Sequence, residues 1–364
     1  MRWHVDDDDY FMLEIDKDRA QQQLAAFAIH LSMGNNVYYK RLKASTIQSY
    51  INDVARIPAV YRGLDLRKDN PLDSLMGKDL KAVIDELKRY DDIPNQREPF
   101  TPAMLLYLIA QAKDTSPDSL ETTMANWATG GLFAGLRCGE YAQTETHRKN
   151  PAHPALNFKD ETRAFCINDV RVQDTRGRHY RGARILEIDV TSIRSLWIKF
   201  RTQKNGKNGV ERLFRSRAGS TTKANIVHAF YNIIERFVRL CGPDDTTTPL
   251  SVYKSAGGDV CLLTSDEITA HLRAAACAVE KLKPGKDDED IKRWSSHSLR
   301  VGACVFLHAN GFSALDIKWI LRWESDAYLT YLRNFAGLSD RQTEAFSKLD
   351  DPTANVAMPL IAGF

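Results

Sequence analysis

The strongest constraint in this sequence is a break. Residues 91–99 read Asp-Asp-Ile-Pro-Asn-Gln-Arg-Glu-Pro, a polar run with two prolines that neither a helix nor a strand interior can accommodate. Thr101-Pro102 follows at once, an N-cap and a proline at the first helical position, where the missing N–H would be unpaired anyway. The chain must therefore fold as two bodies joined by a linker over 93–101. With 364 residues, there is enough chain for each to bury a core. The upstream body, 16–92, reads as all-helical. A helix is expected over 18–32, another over 45–60 and a third over 78–89. In the second, Ile47, Tyr50, Ile51, Val54 and Ile57 recur at helical spacing behind a Ser45 or Thr46 cap. Residues 1–15 carry four consecutive aspartates and no apolar period, so a disordered start is expected.

The downstream body, 102–350, changes period twice. An apolar stretch up to Ala134 precedes Gly135-Leu136-Arg137-Cys138-Gly139-Glu140. Alternation then predicts strands over 164–170, 184–190 and 195–203, with Leu196, Ile198 and Phe200 on one face. Asn205-Gly206-Lys207-Asn208-Gly209 is a turn signal, and 210–217 can return as a hairpin partner. Helical spacing resumes over 221–240, and Thr264-Ser265-Asp266-Glu267 is a capping box opening a helix to residue 282. Short helices over 298–310, 313–322 and 325–335 complete the body, leaving 351–364 as a tail. The fold class predicted is mainly α with one small antiparallel β-sheet (α+β).

Composition narrows the function. The longest apolar runs stop far short of the ~18 residues of a membrane span, and the N-terminus has no secretory signal pattern. Six cysteines lie without any Cys-x-x-Cys pair, which fits neither a zinc site nor a disulfide framework and predicts reduced thiols in an intracellular protein. Net charge is only +3, but residues 163–217 hold 14 lysines and arginines against five acids, a net of +9. Such a block is either a solvated face or a surface for a polyanion, where clustered cations gain by releasing phosphate counterions. No Asp/Glu/His cluster stands at metal-ligand spacing, since aspartates 6–9 form a flexible run. No phosphate-cradling glycine loop occurs either. No metal and no cofactor are expected.

The chemistry concentrates late in the chain. His297-Ser298-Leu299-Arg300 places His297 and Arg300 three apart at a helix start, where backbone N–H groups add to an anion site. Upstream stands Leu136-Arg137-Cys138-Gly139-Glu140, between them a strand-borne Lys204 before a glycine turn, and downstream Trp323 and Tyr331-Leu332-Arg333-Asn334. In this order the set resembles the tyrosine recombinase (phage integrase) family. The wording Arg322-Trp323-Glu324-Ser325-Asp326-Ala327-Tyr328 is similar to recombinases of the Crypton and DIRS kind of eukaryotic mobile element.

The resemblance implies a helical core-binding domain followed by a catalytic domain. It implies Arg137 as the first catalytic arginine, Glu140 as a supporting acid, and Lys204 as the hairpin lysine and general acid. His297 and Arg300 would be the HxxR pair, Trp323 the residue where members carry His or Trp, and Tyr331 the nucleophile. Tyr328 is a rival to Tyr331, and Lys207 to Lys204. Arg322-Trp323 stands where many bacterial members have Gly-His. Double-stranded DNA is the implied partner, met also by Arg176, Arg178, Arg201 and Lys207, with self-assembly into a dimer or tetramer on DNA; the segment 340–349, with Ala345, Phe346 and Leu349 near helical spacing, reads either as ordinary core packing or as a segment that docks on a neighbouring copy. The implied compartment is the nucleus in a eukaryote, otherwise the cytoplasm or nucleoid. The implied activity is site-specific recombination through a 3′-phosphotyrosyl intermediate. A type IB topoisomerase-like nicking and closing activity and a noncatalytic DNA-binding protein derived from a mobile element are the alternatives. The chemistry is coherent by itself: arginine forks suit nonbridging phosphate oxygens, and a proton donor must serve the leaving 5′ oxygen.

Overall fold

A computed structural model describes residues 17–34, 41–62, 65–68, 76–91, 96–142, 164–201, 208–216 and 224–332. The chain divides into two compact units, 1–95 and 96–364. The first holds α1 (Lys17–Ser32), α2 (Ala44–Arg62) and α3 (Lys78–Arg89). Leu24, Ala28, Ile47, Ile51, Leu80 and Ile84 close its core. At about 2 kcal/mol for each fully buried large aliphatic, this small core is what holds three short helices that would be marginal alone.

The second unit opens with α4 (Pro102–Ala112), capped by Thr101 through Met104 N as the sequence predicts. Next come α5 (Leu120–Ala134) and the one-turn α6 (Cys138–Tyr141). α5 is apolar nearly all round and is buried nearly all round, the signature of a central helix. Its Trp127 stacks on Tyr141 with centroids 5.0 Å apart and meets Phe230 edge-on at 5.7 Å. Against it pack α4, α7 (Ile226–Cys241) and α10 (Ser298–Ala309); α8 (Ser265–Glu280) lies on α4, α9 (Asp288–Ile291) on α8, and α11 (Ala314–Leu321) and α12 (Leu329–Leu332) on α10. The predicted Thr264–Glu267 capping box is formed. A 3₁₀ turn, Asp326–Tyr328, precedes α12, so the helix expected over 325–335 starts later and tighter.

The sheet is antiparallel, as expected, but its first strands lie elsewhere. β1 (Val170–Asp174), β2 (His179–Arg181), β3 (Ile193–Phe200) and β4 (Val210–Arg215) pair in the order β2-β1-β3-β4. The strand expected over 164–170 is displaced because the Asp169 carboxylate accepts from Cys166 N at 2.7 Å and winds 167–169 into a 3₁₀ turn. The strand expected over 184–190 is also 3₁₀, over Gly182–Glu187 and Val190–Ser192, with Asp189 capping Thr191 N. Its apolar residues pack inward without pairing. β2, polar and only three residues long, escapes pattern reading. It is set by a turn in which Asp174 Oδ1 accepts from the Arg176 and Arg178 amides and Gly177 takes φ +83°. β5 (Val252–Lys254) and β6 (Val260–Leu262) form a separate ribbon.

The second half of the predicted linker belongs to this unit. Glu98 N donates to Arg293 O, Phe100 N to Ser298 O, and the Trp294 indole to Pro99 O. Arg293 also pairs with Glu98. Residues 98–100 thus brace the loop that leads into α10. The closeness requires Gly302, whose hypothetical Cβ would stand 2.0 Å from Phe100 O.

Candidate active site

The first half of the site is built where α5 ends. Gly135 caps the helix with φ +56°, a left-handed conformation natural to glycine, and a Cβ there would meet Leu321 at 2.3 Å. The chain then turns so that Arg137 caps α6. Glu140 Oε2 accepts from Arg137 N at 2.8 Å, and Oε1 accepts from Arg137 Nη1 at 3.1 Å. Glu140 is buried while Arg137 stays partly open. The same carboxylate is reached from the end of α11: Arg322 Nη1 donates to Oε1 and Nη2 to Oε2, both at 3.1 Å.

The second half comes from α10 and α12. Ser298 locks the approach, its hydroxyl accepting from Ser295 N at 3.1 Å. His297 is already helical in φ and ψ, so Arg300 lies one turn on and points inward. Arg300 is buried, with Nη1 donating to Gly135 O at 2.5 Å and Nη2 donating to Leu321 O. Its guanidinium lies 4.6 Å from the centre of the Trp323 ring. His297 Nε2 and Tyr331 Oη are 2.8 Å apart. Trp323 also leans on Tyr331, with centroids 5.6 Å apart. Tyr328 faces away: it is buried in the small core of Ala303, Cys304, Ile317 and Leu321, stacked on Trp323.

Electrostatically the cluster is unbalanced. Arg137 and Arg322 share one carboxylate, Glu140, and Arg300 beside them is held only by backbone carbonyls, which leaves two positive charges in a largely buried place. Burial, then repulsion from Arg137 and Arg322, pulls Arg300 down to about 9. Burial likewise lowers Arg322 to about 10, against the pull of Glu140. His297 keeps an exposed edge, yet withdrawal from water by the surrounding protein, followed by Arg300, Arg97 and Arg137, lowers its imidazole below the ordinary histidine value. Burial raises the Tyr331 phenol, opposed by Arg300 and Arg137. At neutral pH the pair is thus a neutral imidazole against a neutral phenol, beside excess positive charge. An anion brought to this place would gain from both arginine forks and would relieve their repulsion.

Arg137, Glu140, His297, Arg300, Trp323 and Tyr331, all read from sequence, are therefore brought together. Lys204 and Lys207 lie outside the described residues. The strand that precedes them, β3, ends at Phe200, which Arg322 covers at 3.5 Å. The DNA-contact expectations divide. Arg176 and Arg178 stand exposed on the β1–β2 turn, Arg178 paired with Asp174. Arg201 instead pairs with the buried Asp169 at 2.5 Å, and so serves to hold the 3₁₀ turn before β1. Arg322 is the residue that sequence reasoning left out of the site. Its signal was an arginine where a helix end calls for a left-handed residue. Among the described residues, no group of three or more His, Cys, Asp or Glu side chains could hold a metal ion.

The sequence matches no protein-family model and no curated protein. Among solved structures, the chain is similar to the integrase of transposon Tn1549 in complex with circular intermediate DNA, at 13% identity and TM-score 0.40, over 90% of this chain and 85% of that one. It is similar to XerA recombinase, at 14% identity and TM-score 0.38, over 89% and 98%. A lambda integrase dimer bound to a core site is similar at 12% identity and TM-score 0.36, over 88% and 80%.

Proposed function

We propose that this chain is a tyrosine-type DNA strand transferase, a site-specific recombinase that cuts double-stranded DNA and rejoins it through a 3′-phosphotyrosyl intermediate. The observation that carries the reading is the 2.8 Å approach of Tyr331 Oη to His297 Nε2 beside the buried Arg300 and two further arginines, Arg137 and Arg322, that share one carboxylate. In the reaction, Tyr331 Oη bonds to a DNA phosphorus while His297 takes the phenolic proton, and the bond from phosphorus to the 5′ oxygen breaks. That oxygen needs a proton, for which Lys204 is the proposed donor and Lys207 its rival. Two negative charges build on the phosphoryl group in the pentacovalent transition state, against one in the resting diester. A site with two uncompensated positive charges favours the former, which is the requirement for catalysis. Religation reverses the step and conserves the bond energy, so no nucleotide is consumed. Exchange between two duplexes further requires protomers to assemble on DNA.

The test is trapping on a nicked suicide duplex, followed by peptide mapping. The adduct is expected on Tyr331, to vanish in Tyr331→Phe with DNA binding retained, and to persist in Tyr328→Phe. An adduct mapped to Tyr328 would overturn the assignment of the nucleophile. DNA binding with no adduct in the wild-type chain would leave a noncatalytic DNA-binding protein.

A further inference from the structure

We infer that Arg322 is a positioning residue of the proposed strand-transfer site, occupying Glu140 so that the Arg137 guanidinium stays free to meet the phosphate. This rests on the strand-transfer reading and assigns a role within it. The backbone supplies the first argument. Arg322 ends α11 at φ 58° and ψ 48°, where glycine ends a helix without strain and an arginine does not. The side chain supplies the second. It is almost wholly buried, lies 3.5 Å over the Phe200 ring, and its Nε has no hydrogen-bond partner. A strained backbone under a buried and incompletely satisfied cation persists only where the surrounding contacts hold it.

Those contacts define the role. Glu140 offers two oxygens, and Arg322 takes both. Arg137 is left with one side-chain bond to Oε1, and its backbone amide takes Oε2. Without Arg322, a buried carboxylate with empty lone pairs would draw the Arg137 guanidinium into a two-bond fork. Its donors would then be spent on Glu140. Arg322 Nη2 also shares the Gly135 carbonyl with Arg300 Nη1, so one residue sets the place of both phosphate forks. The reversal of the chain at Arg322 carries Trp323 onto Arg300 and Tyr331.

The experiment uses the full chain and two readouts: phenylglyoxal labelling of Arg137, mapped by mass spectrometry, and single-turnover cleavage of the suicide duplex. Arg322→Gly relieves the backbone strain. It is expected to slow Arg137 labelling about tenfold and cleavage about a hundredfold, the scale of a misplaced catalytic group. DNA affinity should hold within about twofold, because the Arg322 side chain is almost wholly buried and adds little to the sum of phosphate contacts. Adding Glu140→Gln to Arg322→Gly removes the charge that captures Arg137. This should restore the labelling rate and recover cleavage by about tenfold. A merely structural ion pair would give neither the slowed labelling nor its rescue. Unchanged Arg137 labelling in folded Arg322→Gly overturns the inference. If Arg322→Gly does not fold, Arg322→Lys decides: it keeps the charge but engages one oxygen, and must slow labelling to support the role. Slowed and rescued labelling in a chain that forms no DNA adduct would sink the strand-transfer reading while leaving the Arg322–Glu140–Arg137 arrangement in place.

Discussion

Arg300→Lys separates a charge from a fork. The substitution keeps one positive charge on the first turn of α10 but replaces a planar group, which donates to Gly135 O and Leu321 O together, by a point donor that reaches one of them. Leu321 O ends α11, where carbonyls lack intrahelical partners. Leaving it bare costs about 2 kcal/mol. For a unit of this size that lowers Tm by about 4–8 °C. The kinetic loss is separate. Removing one preorganised donor from the transition state costs about 3 kcal/mol, or roughly a hundredfold in rate. DNA affinity, the sum of many phosphate contacts, should change less than about threefold. Single-turnover cleavage at saturating DNA, with anisotropy at fixed salt and a thermal melt, measures all three. Cleavage by Arg300→Lys within about fivefold of wild type would show that a point charge suffices, and the fork argument would fail.

Three other outcomes follow from the same geometry. Cleavage should survive excess EDTA, because the cations at the site would repel a metal ion; loss of cleavage restored by Mg²⁺, with DNA binding constant, would refute the mechanism. Cleavage at limiting DNA reports the free enzyme, and should fall only when pH drops below the depressed His297 value, hence below 6.5. The stability sign agrees: just below 6.5 the unfolded chain binds a proton that folded His297 resists, so stability falls as pH falls. An acid limb centred at or above 6.5, or one unchanged in His297→Gln, would remove His297 as the base. Gly302→Ala, which sets a Cβ 2.0 Å from Phe100 O, should lower the urea midpoint by the equivalent of about 3 kcal/mol. A loss under about 0.5 kcal/mol would mean that residues 98–100 yield freely.

Much of this molecule is local and therefore written in its sequence. Thr101-Pro102 starts α4 and Thr264–Glu267 starts α8 because caps act within four residues. His297 and Arg300 converge because a spacing of three on a helix shares a face. β2 was illegible because a side chain, Asp174, makes its turn. Tyr331 was chosen over Tyr328 on the Tyr331-Leu332-Arg333-Asn334 wording alone. The side chains' different surroundings were beyond that wording: across the 3₁₀ turn at 326–328, Tyr328 enters the Cys304 core and Tyr331 meets His297. Arg322 depended wholly on tertiary structure. Its partner Glu140 lies 182 residues upstream, and a sequence shows an arginine at a helix end without showing which buried carboxylate stands opposite. Helix faces and caps follow from short-range spacing. The sharing of one carboxylate by Arg137 and Arg322, and of one carbonyl by Arg300 and Arg322, arises only when the ends of α5 and α11 are packed against each other with Gly135 leaving no room for a side chain between them.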